Sequence, residues 1–83
     1  MRYKLLKIAN DLNKLILHSG EKVRVYFQTF SGGEVGICVW HFLDIYKYKC
    51  ERITFYESHT VQELQQKFEL AKKVIAGECL IDE

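Results

Sequence analysis

The segment at 34–46, with the sequence EVGICVWHFLDIY, constrains the fold more than any other part of the chain. Taken as a β-strand it is apolar on both faces, because successive side chains of a strand point to opposite sides of the sheet. β-Branched and aromatic residues dominate it and two glycines precede it, which favours a strand over a buried helix. A near-continuous apolar run of this kind is typical of a strand that is covered on both faces. We therefore predict the central strand of a small sheet here.

A second strand, KVRVYFQTF at 22–30, is predicted before the central strand and is joined to it by Ser31-Gly32-Gly33-Glu34. Adjacent glycines are typical of a two-residue hairpin loop, since both positions tolerate positive φ. The pairs that such a loop predicts on one face are Phe27–Cys38, Val25–Trp40 and Val23–Phe42. Because these pairs are uniformly apolar, we predict that this face lies in the core.

A third strand, ERITFYE at 51–57, is predicted after a tight turn near Lys47-Tyr48. That turn would place Ile53 opposite Phe42, on the face already predicted to be buried. The two predicted turns thus agree on which side of the central strand is buried, and this agreement supports the register.

Amphipathic segments flank the strands on both sides. The segment 3–18 carries apolar residues at helical spacing, and Gly20 is the predicted stop. After Ser58 and His59, Thr60 and Glu63 fit a capping box that begins a second helix, and Gly77 is its predicted stop. The predicted fold class is α+β: a single small domain at 1–83, in the order α-β-β-β-α, with a three-stranded antiparallel meander and two helices packed on one face.

The second face of this predicted sheet is too apolar and aromatic for a surface that meets only solvent. We expect it to bind a partner through Tyr26, Arg24, Phe30, Ile37, Val39, His41, Leu43, Arg52 and Tyr56. A different protein, a second copy of the chain in a homodimer, or single-stranded nucleic acid stacked on the aromatic rings are the partners considered. In the remaining alternative a helix crosses to this side, and no docking surface exists.

Residue types that carry catalysis or bind metals do not cluster in the sequence. Cys38 and His41 are three positions apart, which puts them on opposite faces of a strand. The glycine pair leads into a strand and not into a helix N-terminus, so it lacks the donors of a phosphate loop. Three cysteines without paired spacing favour reduced thiols, with a Cys50–Cys79 disulfide as the alternative. We therefore predict a non-enzymatic binding protein with no cofactor, metal or small-molecule substrate.

The composition, with 48% hydrophobic and 28% charged residues, is typical of a soluble globular protein. No apolar run reaches the length of a membrane span, and the charged amphipathic N-terminal segment does not resemble a signal peptide, so we expect a cytoplasmic protein. Residues 1–50 contain eight Lys/Arg and four Asp/Glu, whereas residues 51–83 contain four and seven. This asymmetry indicates either solvated helix faces or a mildly basic surface on the first helix and hairpin.

The element order resembles that of the double-stranded RNA-binding domain. That family carries a Lys-Lys-x-x-Lys-type cluster at the start of its second helix, where this chain has TVQELQQ at 60–66. The missing cations argue against that family's function here. Size, element order and the lack of catalytic motifs are also similar to small phage-encoded inhibitors of host defence, including some anti-CRISPR proteins. This resemblance implies a phage or mobile-element accessory protein that binds a host protein.

Overall fold

Two helices and three strands follow one another in the predicted order along residues 2–81, the part of the chain that the computed structural model describes. The elements are α1 (Arg2–Leu17), β1 (Val23–Thr29), β2 (Val35–Phe42), β3 (Cys50–Tyr56) and α2 (Val61–Ile75). The strands form one antiparallel sheet in the order β1-β2-β3. Both helices pack on the same face of this sheet. The predicted α+β class and topology are therefore confirmed.

The loop between β1 and β2 is one residue longer than the predicted glycine turn. The Phe30 N–H donates a 2.7 Å hydrogen bond to the Glu34 carbonyl, and the Phe30 carbonyl accepts a 3.0 Å bond from the Gly33 N–H. The loop residues are thus Ser31–Gly33, with φ near 84° at Gly32 and 83° at Gly33. Because side chains alternate with a period of two, one additional loop residue turns β2 over relative to β1.

The connection between β2 and β3 also differs from the prediction. Phe42 pairs with Cys50, and residues 43–49 form the connection where a tight two-residue turn was predicted. Ile53 consequently lies opposite Val39 and not opposite Phe42. Both changes reverse the facing of β2.

Ile53 and Phe55 of β3 lie in the core, and Val23 and Val25 of β1 pack against it as predicted. The prediction for Phe27 is wrong, since this residue is 45% exposed and lies outside the core.

The core lies between the helices and the odd-numbered strand residues. Ile37, Val39 and His41, which were predicted to bind a partner on the uncovered face, are 0%, 0% and 1% exposed in this core. Their placement on the uncovered face is wrong. The prediction that Trp40 and Phe42 pack beneath the helices is also wrong, since neither ring belongs to the core cluster. Other residues of that cluster are Leu5, Ala9, Leu12, Tyr46, Ile53, Phe55, Leu64, Ala71, Val74, Ile75 and Ile81.

Helix α2 begins and ends as predicted. The Thr60 hydroxyl accepts a 3.1 Å hydrogen bond from the Glu63 N–H, and the Glu63 carboxylate accepts a 2.9 Å bond from the Thr60 N–H. The predicted capping box is therefore confirmed. Hydrogen bonds from the Thr60 backbone and then its side chain hold the pKa of the Glu63 carboxyl below its usual value. Gly77 follows the helix with φ near 78°.

Candidate binding face of the sheet

The face of the sheet opposite the helices has no other element of residues 2–81 packed on it. Even-numbered strand residues form this surface, which we name the open face. Its members are Arg24, Tyr26, Gln28, Gly36, Cys38, Trp40, Phe42, Cys50, Arg52, Thr54 and Tyr56. None of them belongs to the hydrophobic core cluster or packs against it, although Gly36 and Cys38 are themselves buried and Trp40, Phe42 and Tyr56 are partly exposed. The sheet therefore presents a row of aromatic and basic side chains on the side away from the helices.

Two arginines and two aromatic rings form a continuous stack across the open face. The guanidinium carbon of Arg24 lies 5.7 Å from the ring centroid of Phe42, and that of Arg52 lies 5.5 Å from the ring of Trp40. The Trp40 and Phe42 rings stack with centroids 6.5 Å apart and 22° between their planes. Cation–π attraction favours this order, and the arginine stems cover apolar ring surface. We name Arg24, Phe42, Trp40 and Arg52 the arginine–aromatic ladder.

The ladder carries two positive charges that no described carboxylate neutralises. The open face contains no Asp or Glu, and within residues 2–81 neither Arg24 nor Arg52 forms an ion pair. Both arginines are exposed, and both are direct cross-strand neighbours of Trp40. A guanidinium group presents planar N–H donors that suit bidentate pairing with a carboxylate or phosphate. The ladder can therefore bind an anionic group at each of its two ends.

Hydrogen bonds across β1 and β2 hold the centre of the open face in one arrangement. The indole Nε1–H of Trp40 donates a 2.8 Å bond to the Tyr26 hydroxyl. The neighbouring Cys38 thiol donates a 3.3 Å bond to the side-chain carbonyl of Gln28. Because these side chains are already ordered, less conformational entropy is lost when a partner binds.

Phe30 folds from the β1–β2 loop over one end of the open face. Its ring centroid lies 5.0 Å from that of Tyr56, and the Tyr56 ring is edge-on to His59 at 5.1 Å. Gly36 permits this approach, because a Cβ there would lie 2.7 Å from Phe30 Cε2 and 2.6 Å from the carbonyl oxygen of Phe55. The glycine in β2 thus allows the loop aromatic to cover the sheet end, and the arginine–aromatic ladder lies beyond it.

His41 is the centre of a buried hydrogen-bond network on the helix side. Its Nε2 lies 2.8 Å from Glu21 Oε1 and its Nδ1 lies 2.7 Å from the Tyr46 hydroxyl, which also accepts a 2.9 Å bond from the Ile81 N–H. An ionised Glu21 assigns the proton to Nε2, so Nδ1 accepts from the Tyr46 O–H. Burial raises the pKa of the Tyr46 phenol. The His41 and Tyr46 rings are only 1% and 6% exposed, so neither is accessible to a bound molecule.

The predicted partner-binding residues lie partly on the open face and partly in the core. Those that it brings together on the open face are Arg24, Tyr26, Arg52 and Tyr56. Phe30 covers the end of that face, and Leu43 lies just beyond β2, 39% exposed. Ile37, Val39 and His41 lie in the core instead, because β2 faces the opposite way.

Trp40 and Phe42 are the functional candidates that sequence reasoning missed. The predicted register placed Arg24 beside His41, where the two side chains have no attractive contact. The observed register gives both Arg24 and Arg52 an aromatic neighbour. The signal that could have found this register was therefore the presence of an arginine on each outer strand.

A groove of about 300 Å³ lies between α1 and α2, with Ile8, Leu64 and Phe68 in its wall. The Lys7 ammonium at its rim is bound to the Asp11 carboxylate at 2.9 Å. Of the charged residues in the groove wall, only Lys4 forms no ion pair within residues 2–81, against two such arginines on the open face. The open face is therefore the stronger candidate.

Other classes of site find little support in the described chain. No group of three or more His, Cys, Asp or Glu side chains within residues 2–81 is arranged to hold a metal ion, and Cys38, Cys50 and Cys79 are free thiols. No helix in this range has the length and apolar character that a membrane crossing requires. Comparisons with models of protein families, with curated proteins and with solved structures find no significant match to this chain.

Proposed function

We propose that this protein is a non-enzymatic binding module that docks a partner protein on the open face. The arginine–aromatic ladder carries the proposal, because it holds the stacked Trp40 and Phe42 rings between two unpaired arginines on the open face. Trp, Tyr and Arg are the residue types that dominate the binding energy of protein interfaces. All three occur at the centre of the open face, where Tyr26 is hydrogen-bonded to Trp40.

The charge of the open face favours a partner other than a second copy of the chain. In a two-fold dimer the same patch meets itself. Arg24 and Arg52 of both copies would then enter one interface to which the open face contributes no carboxylate. Removing unpaired guanidinium groups from water is unfavourable, so this arrangement supports association with a different protein over the homodimer.

Single-stranded nucleic acid is the second candidate, because the two arginines of the ladder can pair with phosphate groups. Proteins that bind single strands stack bases on accessible aromatic ring faces. Here Arg24 covers a face of Phe42, Arg52 covers a face of Trp40, and the two rings stack on each other. These contacts leave little ring surface for bases, and they support a protein partner over a nucleic acid.

A role as a phage or mobile-element accessory protein is the more specific form of the proposal. In that role the open face would bind and inhibit a host defence protein in the cytoplasm. The size of the chain, its element order and its uncovered binding face support this role.

Photocrosslinking at defined positions tests the proposed docking face. Tyr26 on the open face and, as a control, the exposed Lys73 on α2 would each be replaced by p-benzoylphenylalanine in the full chain, expressed in its native host. We expect a nuclease-resistant protein adduct from position 26 and none from position 73. Equal adducts from both positions, or none from position 26, would contradict docking on the open face.

Two other adducts would identify the alternatives. A nuclease-sensitive adduct from position 26 would contradict the protein partner and support the nucleic-acid candidate. An adduct of twice the chain mass would overturn the argument from charge against self-association.

A further inference from the structure

The arginine–aromatic ladder also indicates the chemistry of the partner. We infer that the open face binds an acidic protein segment in which carboxylates flank an apolar side chain. This inference rests on the proposed docking function and adds the class of partner. Arg24 and Arg52 lie at the two ends of the ladder, with the stacked rings between them. Carboxylates of the segment pair with the guanidinium groups, and its apolar side chain contacts the edges of the stacked rings, whose faces are already covered.

The glutamates that border the sheet are engaged elsewhere and do not compete for the ladder. Glu34 accepts a hydrogen bond from the Ser58 N–H at 2.9 Å, and Glu57 accepts one from the Val35 N–H at 2.9 Å. Glu51 accepts from the backbone N–H of Arg52, and its carboxylate forms no described ion pair with the guanidinium of that residue. Within residues 2–81 no carboxylate forms an ion pair with either arginine, including Asp44, which lines a pocket together with Phe42. Carboxylates of a partner can therefore bind the ladder.

The spacing of the arginines sets a requirement on the segment. Both pair with Trp40 from opposite sides, so their Cα atoms are two strand spacings apart, about 10 Å. Both stacked rings also separate the guanidinium groups at the ends of the ladder. Carboxylates on same-face neighbours of one extended strand, about 7 Å apart, are too close together to reach both ends directly. The carboxylates of the segment are therefore separated by intervening residues, and one of these can place an apolar side chain against the edge of Trp40.

The ring contacts also favour carboxylate recognition by reducing its entropic cost. An exposed arginine normally loses much rotamer freedom on pairing. Here each guanidinium already rests on a ring, within 6 Å of its centroid. A planar guanidinium held in this way can receive a carboxylate through two parallel hydrogen bonds. Lysine could not reproduce this geometry, because its ammonium is a single point of charge.

Fluorescence titration tests the inference directly, because Trp40 is the single tryptophan of the chain. The probes are a random glutamate–tyrosine copolymer, polyglutamate, and an oligothymidylate at equal salt, with excitation where tyrosine does not absorb. We expect the copolymer to bind most tightly and to perturb the Trp40 emission. Arg24→Gln with Arg52→Gln should weaken its binding about tenfold or more, since two charge-assisted contacts are removed.

Two further variants separate specific recognition from general attraction of polyanions. Lys67→Gln with Lys73→Gln removes the same net charge from α2 and should leave copolymer affinity unchanged. Arg24→Lys with Arg52→Lys keeps the charge, and we expect it to lose most of the affinity. Recognition by the ladder would be overturned if the α2 variant lost as much copolymer affinity as the arginine-to-glutamine variant, or if the lysine variant kept full affinity. Circular dichroism melting of every variant confirms that each is folded.

The outcomes distinguish this inference from the proposed function. If the oligothymidylate binds more tightly than the copolymer, the inference of an acidic protein segment is wrong and the nucleic-acid candidate is supported. If no probe binds while position 26 still yields a protein adduct, the open face docks a protein of other chemistry and only the inference fails.

Discussion

His41 and Tyr46 are joined in the core by a 2.7 Å hydrogen bond between Nδ1 and the phenolic hydroxyl, with their rings edge-on. This contact lies on the helix side of the sheet, so the neighbours of His41 along β2 must point the other way. Those neighbours are Trp40 and Phe42, the rings of the ladder. The polar pair in the core and the aromatic pair on the open face are therefore two consequences of one strand orientation.

Tyr46→Phe should destabilise the fold by about 1–3 kcal/mol at neutral pH, because it leaves the buried His41 Nδ1 and the Ile81 N–H without their partner. Tyr48→Phe is the matched control, since Tyr48 is 74% exposed and its change should have little effect. Urea denaturation followed by Trp40 fluorescence measures both. Equal stabilities for the two variants would show that the network contributes nothing.

The stabilising effect of Tyr46 should disappear in strong alkali. Burial raises the folded-state pKa of its phenol above the ordinary value of 10.0. The unfolded phenol therefore ionises first, and the stability from the neutral form is complete below pH 10 and is lost as the pH rises through the folded-state pKa. We expect the difference in unfolding free energy between the wild type and Tyr46→Phe to shrink over the pH range above 10.0, the ordinary pKa of the phenol. A difference that stays constant over this range would contradict the burial effect.

Phe55→Ala and Trp40→Ala together test the facing of β2. Phe55 is 0% exposed, and its truncation should destabilise the protein by about 3–5 kcal/mol. Trp40 lies partly exposed on the open face, so Trp40→Ala should destabilise it clearly less, by about 1–2 kcal/mol. Chemical denaturation followed by circular dichroism measures both variants. If Trp40→Ala were as damaging as Phe55→Ala, Trp40 would belong to the core after all.

Gly36→Ala should destabilise the sheet by about 1–3 kcal/mol through overpacking. The new Cβ would lie 2.6 Å from the carbonyl oxygen of Phe55, and this backbone atom cannot move aside alone. Gly20→Ala is the control, because no atom lies within 4 Å of the new Cβ and its φ is not in the left-handed region. Thermal melting compares the two, and a Gly36→Ala variant as stable as the control would contradict the close packing of Phe30 over β2.

Deletion of Gly32 should abolish cooperative unfolding or lower the melting temperature severely. The shortened loop favours the register of a two-residue turn, which would direct Ile37 and Val39 away from the helices. Ser31→Ala, in the same loop but without a change of length, should melt close to the wild type. A wild-type melting curve for the deletion variant would show that the loop does not determine the strand orientation.

The middle strand shows why part of the candidate site could not be predicted. In β1 and β3 apolar and polar residues alternate, so their core faces follow from the pattern. β2 is apolar on both faces, and its pattern is equally compatible with either orientation. The two predicted turns agreed with each other because both assumed the same facing of β2. When this one strand faces the other way, its pairing with β1 and its pairing with β3 both change.

The sequence by itself determined the element order, the capping box of α2 and the faces of the outer strands, because periodicity and capping depend on residues close together in the chain. Only the tertiary structure decided which side of β2 is buried. That choice depends on the three-residue loop and on the contacts of His41 with Glu21 and Tyr46 from two separate connections. Side-chain alternation in a strand apolar on both faces carries no information about such contacts, and for this reason Trp40 and Phe42 could be placed on the open face only from the folded chain.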